Sequence, residues 1–343
     1  MPRLPNDLID RAAHHLDGRR VCVTGGCGFI GGHLVDALLA CGASVSIIDD
    51  LSASTAEHAA TLLEADPARV RFVRASVLDD RGLHEAMRDA HMVFHLAAVG
   101  SVPRSIQDPE RSWVVNVTGT ARVLEEARRS SARRVILSSS SSVYGDAPGL
   151  PRVEDQLPAP ASPYAASKAA AEHACAAWSR SLGVETICLR YFNVYGPRQR
   201  ADSDYAAVIP QTIARLLANE PPVVHGDGEQ TRDFTYVADA VAANLLAAIS
   251  ETPARGEAVN IGCGQRTSIN DLVKRLSELL ERPGLEPVHT EARSGDVRDS
   301  QADVSRASEL LGFKPTIALR DGLAETVDWY ADTAGVSGGG ARR

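Results

Sequence analysis

One short stretch restricts this 343-residue chain more than any other. Val21-Cys22-Val23-Thr24 runs into Gly25, Gly28 and Gly31 at G-x-x-G-x-x-G spacing, and an apolar stretch over 30–41 follows. β-branched residues before the glycines and helix formers after them predict a strand, a tight turn and a helix. Glycines this dense also suit a plain turn; the flanking elements give them a mechanism. Gly25 permits the sharp turn, Gly28 lets backbone approach a pyrophosphate, and Gly31 lets helix and strand pack closely. The helix N-terminus adds amide donors and a positive dipole end.

The rest of the chain repeats that unit. Short apolar runs at 20–23, 45–48, 70–73, 92–95 and 134–137 alternate with helical stretches at 30–41, 56–64, 80–90 and 112–129. Short strands alternating with helices predict an α/β protein, a parallel sheet covered on both faces. Beyond Arg190 the rhythm loosens, with helices near 206–218, 237–250, 269–281, 305–311 and 320–332 and a strand at 259–261. Leu8, Ile9, Ala12 and Leu16 fall at helical spacing with Asn6 as a cap, which predicts a short amphipathic helix outside the main fold. The expected division is an N-terminal helical extension over 1–18, a Rossmann-type doubly wound domain over 19–190 plus 236–264, a smaller α/β substrate-binding domain over 191–235 plus 265–332, and a disordered tail over 333–343. No internal repeat is present.

Composition removes several classes. The net charge of −8 disfavours non-specific nucleic-acid binding, so an anionic ligand must be held by a few local arginines or by helix N-termini. No run of 18 apolar residues predicts a membrane span, and residues 1–20 lack the apolar core expected of a signal peptide, so cytoplasm is the expectation. Six cysteines without a C-x-x-C pair suit a reducing compartment and argue against zinc; H-E-x-x-H is absent too, and no metal is expected. No G-x-S-x-G elbow supports a serine hydrolase. Arg128 to Arg134 read as a solvated helix end.

Two further constellations carry chemistry. Asp49-Asp50 end the second strand, where a carboxylate accepts hydrogen bonds from both adenosine ribose hydroxyls and repels a 2′-phosphate; no arginine adjoins them in sequence, which favours NAD over NADP. Ser138 to Ser142 end a later strand, and Tyr164 and Lys168 stand one turn apart on the helix after it. A cation beside a phenol favours the phenolate, so Tyr164 is suited to removing a hydroxyl proton while hydride leaves for NAD.

These motifs, with His95-Leu96-Ala97-Ala98, Val143-Tyr144-Gly145 and Arg190 to Pro197, make residues 19–332 resemble the extended short-chain dehydrogenase/reductase family in its nucleotide-sugar epimerase and dehydratase branch. The resemblance implies Tyr164 as base and acid, Lys168 on the nicotinamide ribose, and Ser140 on the sugar hydroxyl being oxidised. It implies further NAD contacts from Phe29, Ile30, Ser76, Val77, Leu96, Ala97, Ala98 and Tyr191. Ser76 departs from the aspartate that relatives usually place on the adenine amine. In 4,6-dehydratases an Asp-Glu pair stands where this chain has Ser141-Ser142, and uronate decarboxylases have a glutamate at the Ser142 position. Serine does not exchange protons near neutral pH, so elimination is disfavoured and 4-epimerisation through a transient 4-keto sugar remains. A dehydratase, a decarboxylase and a non-catalytic NAD-binding protein are the alternatives.

The same resemblance implies a UDP-sugar held by Asn193, Arg232, Arg293 and Asp296, with Val208 and Ile209 against uracil; paired arginines suit a diphosphate. Sugar choice divides. Ser300 stands where a tyrosine narrows glucose-restricted pockets, and the segment around Ser101 resembles N-acetylhexosamine epimerases. Arg200, with Ser141 and Ser142, matches a carboxylate site of UDP-glucuronate 4-epimerases. A homodimer through two helices per chain is implied.

Overall fold

In the computed structural model, residues 4–201, 206–292 and 295–335 are described. Seven parallel strands form the central sheet. Six are labelled here: β1 (Arg20–Thr24), β2 (Ser44–Asp49), β3 (Val70–Arg74), β4 (Met92–His95), β5 (Arg134–Ser140) and β6 (Glu185–Tyr191). The order across the sheet is Arg255–Ile261, β6, β5, β4, β1, β2, β3. The chain leaves β1 in one direction to build β2 and β3, then crosses back to place β4 on the other side of β1. Loops after β1 and β4 therefore diverge, and the crevice between them is where doubly wound sheets bind ligands.

Period-two alternation sorts the strands onto two cores. Val21, Val23, Met92, Phe94, Ile136, Ile187 and Leu189 join one buried cluster, while Cys22, Val93, Val135, Leu137 and Cys188 join the other. Helices Phe29–Ala40 and Val237–Ile249 cover the first face; Asp80–Met87, Gly119–Arg129 and Pro163–Leu182 cover the second. Every residue of Val237–Ile249 is buried, because helix Asn6–Leu16 lies across its outer side. Leu8, Ala12 and Leu16 of that N-terminal helix are buried in the main core, so the segment adds a further layer to it. Its N-cap is Pro5 rather than Asn6: the Leu8 and Ile9 amides donate to the Pro5 carbonyl, and no side chain caps the helix.

The helix expected over 112–129 is interrupted. Pro109–Trp113 and Gly119–Arg129 are joined by a π-turn over Val114–Thr118, with a separate helix Val102–Gln107 before them, capped by Ser101. Gly119 is needed here, since a Cβ would sit 2.8 Å from Val77 Cγ2. The C-terminal part is held by small pairings: Val194–Tyr195 with Thr235–Tyr236, Thr231–Arg232 with Thr267–Ser268, and Val223–His225 with Val288–Thr290. Helices Val208–Leu217, Ile269–Leu279 and Leu319–Thr333 pack around them. Residues 336–343, most of the expected tail, lie outside the described residues.

Candidate active site

Three adjoining cavities run along the C-terminal ends of the strands. The first is bounded by Gly25, Gly28, Asp49, Asp50, Ser76, Val77, Leu96, Ala97 and Ala98, nine of the positions expected to hold a dinucleotide. Gly25 has φ +71° and packs so closely that a Cβ would lie 2.7 Å from the Ala97 nitrogen. A Cβ on Gly31 would lie 2.2 Å from the Gly25 carbonyl oxygen. The turn thus needs glycine for both conformation and space. Asp49 is buried, and its Oδ2 accepts from the Cys27 amide at 3.0 Å while Oδ1 accepts from the Leu51 amide at 2.8 Å. Burial pushes this carboxyl up, and the two amides act against that push. Asp50 is exposed on the same rim. A cradle emptied of Cβ atoms beside a strand-end carboxylate fits the diphosphate and ribose of NAD.

The floor of this cavity is set by a buried relay. Thr120 Oγ1 donates to the Asn116 carbonyl at 2.6 Å and therefore accepts from His95 Nε2 at 3.0 Å. His95 Nδ1 is then the acceptor for Thr24 Oγ1 at 2.7 Å, and Thr24 Oγ1 accepts from the Ala97 amide at 3.1 Å. Burial, with Lys168 adding to it, drives His95 down to about 3, so the neutral tautomer persists. The loop after β4 is pinned in this way to the strand end that carries Gly25.

The second cavity, about 400 Å³, is lined by Phe29, Ile30, Ser140, Ser141, Ser142, Tyr164, Tyr191, Asn193, Arg232, Asp296 and Ser300. β5 delivers the serines, and a short 3-10 turn, Ser141–Tyr144, bends them into the cavity. Tyr164 lies in the first turn of helix Pro163–Leu182, which Ser162 caps by accepting from the Ala165 amide at 3.2 Å. Tyr164 and Ser140 line this cavity together; burial pushes the phenol up, and the Ser140 side chain acts against that push. Lys168 is buried, 6.0 Å from the centre of the Tyr164 ring, and its Nζ donates to the Ser138 carbonyl at 2.8 Å. Burial pulls this ammonium down to about 8. Ser142 Oγ is buried without a hydrogen-bond partner, beside the cavity it lines.

The third cavity shares Asn193, Arg232 and Asp296 with the second and adds Val208, Ile209, Gln211 and Phe234. Arg232 is buried and paired with Asp296, and it also donates to the Thr231 carbonyl at 2.8 Å. Two expected substrate residues line neither of these two cavities. Ser101 caps helix Val102–Gln107 by accepting from the Arg104 amide at 3.3 Å, and Arg200 is exposed. Arg293 lies outside the described residues.

Sequence reasoning missed two buried polar residues at the site. Asn116, in the π-turn, accepts from the Val99 amide at 2.8 Å and donates to Ser167 Oγ at 2.9 Å, joining the β4 loop to the Tyr164 helix. Glu172 lies four residues beyond Lys168, a spacing visible in the sequence. Among the described residues no group of three or more metal-ligating side chains is present, and no helix is long and apolar enough to cross a membrane.

Sheet order, glycine turn and crevice define a dinucleotide-binding protein of the doubly wound class. The NAD dependent epimerase/dehydratase family matches residues 21–262. A UDP-glucose 4-epimerase of Mycolicibacterium smegmatis is 39% identical over 314 residues, covering 91% of this chain and 98% of that one. The structure of a UDP-N-acetylglucosamine 4-epimerase from Methanobrevibacter ruminantium superposes with a TM-score of 0.86 at 38% identity, over 93% of this chain and 99% of that one. A UDP-glucuronic acid 4-epimerase from Bacillus cereus, in complex with UDP-glucuronic acid and NAD, gives 0.85 at 33%, over 92% and 99%. Decarboxylases and 4,6-dehydratases of nucleotide sugars also match. The chain belongs to the NAD dependent epimerase/dehydratase family.

The Gly25–Ala97 contact generates a prediction. Gly25→Ala places a side chain in the left-handed region, at roughly 1–3 kcal/mol for the backbone alone, and into the β4 loop. Calorimetry is expected to show a lowered melting temperature and NAD binding weakened at least tenfold; unchanged NAD affinity would contradict the assignment of this turn.

Proposed function

We propose that this chain is an NAD-dependent UDP-sugar 4-epimerase that inverts C4 through a transient 4-keto sugar. The observation that carries the reading is the hydroxyl-lined turn beside Tyr164. Ser140, Ser141 and Ser142 line the same cavity as Tyr164, and the turn holds no carboxylate to supply or take the proton that elimination or decarboxylation needs. The epimerase relatives support the same reading.

In this mechanism Tyr164 takes the proton of the sugar O4 hydroxyl and later returns it, with Ser140 bridging phenol and sugar. Lys168 stabilises the phenolate as a buried ammonium, and its pKa of about 8 limits activity on the alkaline side. NAD, when bound, would supply the acceptor for the C4 hydride, with none consumed over a full cycle. Gly25, Gly28, Phe29, Ile30, Asp49, Asp50, Ser76, Val77, Leu96, Ala97, Ala98 and Tyr191 would hold it. Arg232 and Arg293 neutralise the substrate diphosphate, Asn193 adds a polar contact, Asp296 meets the ribose, and Val208 and Ile209 face uracil. The second cavity leaves room for the sugar to turn its other face.

Ser300 is buried and small, which leaves space for an N-acetyl group, while the unpartnered Ser142 hydroxyl suits a C6 hydroxyl or carboxylate. With Arg200 exposed and outside the cavity, a carboxylate would rest on Ser141 and Ser142. The partner is a second copy of the chain. Trp113 and Val114 are neighbouring large apolar residues left exposed, at 48% and 36%, and light scattering is expected to give twice the chain mass. A monomer at micromolar concentration would remove the dimer.

Incubation with UDP-glucose, UDP-N-acetylglucosamine and UDP-glucuronate, followed by anion exchange and mass detection, is expected to give an isomer of unchanged mass from at least one. Tyr164→Phe is expected to lower kcat by 100-fold or more while NAD stays bound. Loss of water or carbon dioxide, or near-normal turnover by the variant, would overturn the assignment.

A further inference from the structure

The buried polar network behind Tyr164 is larger than its own chemistry requires. Glu172 sits one turn beyond Lys168 on the same helix and is 6% exposed. Its Oε1 accepts from Ser139 Oγ and, at 3.0 Å, from Arg190 Nε; its Oε2 accepts from Arg190 Nη2 at 2.7 Å. Arg190 Nη1 donates to the Tyr144 hydroxyl at 2.8 Å, which donates to Asn260 Oδ1 at 2.6 Å. Tyr144 ends the turn that carries Ser141 and Ser142. One carboxylate thus joins the Tyr164 helix to both sides of the serine run. A buried ion pair loses solvation and is weak evidence for stability, so its position beside a buried ammonium calls for another account.

The groups facing Lys168 come from four elements. Tyr164, Glu172 and Cys175 share its helix, the Ser138 carbonyl belongs to β5, His95 to β4, and Cys188 to β6, from which Arg190 reaches Glu172. Burial keeps His95 neutral, and a hydrogen bond with Cys175 together with burial keeps Cys188 protonated. Glu172 is the carboxylate in this set. We propose that Glu172 is a positioning residue: its carboxylate, shared between Ser139 and Arg190, fixes the end of β5 and holds Lys168 as an ammonium next to Tyr164. The role in turnover rests on the epimerase reading above; the effect on Lys168 does not.

The direction of the effect follows from charge. Burial drives Lys168 toward the neutral amine and Glu172 acts against it. Removing the carboxylate therefore makes the ammonium titrate at lower pH, and removing Arg190 leaves the carboxylate uncompensated and does the reverse.

The chain contains three lysines, Lys168, Lys274 and Lys314, so NMR of lysine labelled with carbon-13 at Cε reads Lys168 directly in the full-length protein. Glu172→Gln is expected to lower its titration midpoint by about one pH unit, and Arg190→Gln to raise it. With the panel sugar that the wild type converts, Glu172→Gln is expected to lower kcat about tenfold at pH 8, to leave KM within about twofold, and to move the alkaline limb of the kcat profile down. Midpoints that stay put, or that move the same way in both variants, overturn the proposal. If Glu172→Gln does not fold, the Arg190→Gln midpoint decides: an upward shift supports the proposal, and no shift or a downward one overturns it. Opposite NMR shifts without turnover of any sugar by the wild type would sink the epimerase reading and leave the effect on Lys168 standing.

Discussion

The approach of the Gly25 turn to the Ala97 backbone is the constraint on which the rest of the site depends. It exists because β1 and β4 are neighbours in the sheet, although the chain builds β2 and β3 between them. A side chain at Gly25 would separate the two strand ends and close the crevice that their loops open. The relay from Ala97 through Thr24 and His95 to Thr120 holds the same junction from the side, and it reaches the π-turn that carries Asn116. Asn116 in turn binds Ser167, next to Lys168. Cofactor cradle and Tyr164 helix are thereby parts of one hydrogen-bonded frame.

The proposed chemistry turns on what surrounds one buried cation, Lys168. Lys168 is worth burying only if it stabilises a negative charge that appears during the reaction, which the Tyr164 phenolate supplies in the mechanism proposed. The resting protein must tolerate that cation, and the Glu172 carboxylate, itself paired with Arg190, lowers the cost. Arg232 follows the same logic at the other end of the cleft. In a chain of net charge −8 it is held by Asp296 and backbone carbonyls on the wall shared by the second and third cavities.

Much of this was legible in the sequence because it depends on local pattern. The strand–glycine–helix unit, the alternation of short apolar runs with helices, and the Tyr164–Lys168 spacing each translate directly into structure. The helix expected over 112–129 shows the limit. Its π-turn is held by Asn116 contacts to Val99 and Ser167, residues distant in sequence, and no helical periodicity reports them. Asn6 was a reasonable cap by residue type, yet the chain enters through Pro5, whose fixed φ suits a helix start. Ser101 and Arg200 were read by position in a resemblance, and a loop position does not fix where a side chain ends up. Ser101 went to a helix cap, and Arg200 stands exposed outside the cavity. Glu172 was within reach, one further step along the face already defined by Tyr164 and Lys168.

The central claim is that C4 is oxidised and re-reduced within one active site, without exchange of its hydrogen. The most direct test is turnover, with no added NAD, of whichever of UDP-glucose, UDP-N-acetylglucosamine and UDP-glucuronate is converted, carrying deuterium at C4, with the label located by NMR. The account predicts that the epimer keeps the deuterium at C4 and that product formed in deuterated solvent gains none at C5. Deuterium moved to C6, lost to solvent, or joined by solvent deuterium at C5 would contradict it and assign the chain to elimination or decarboxylation instead.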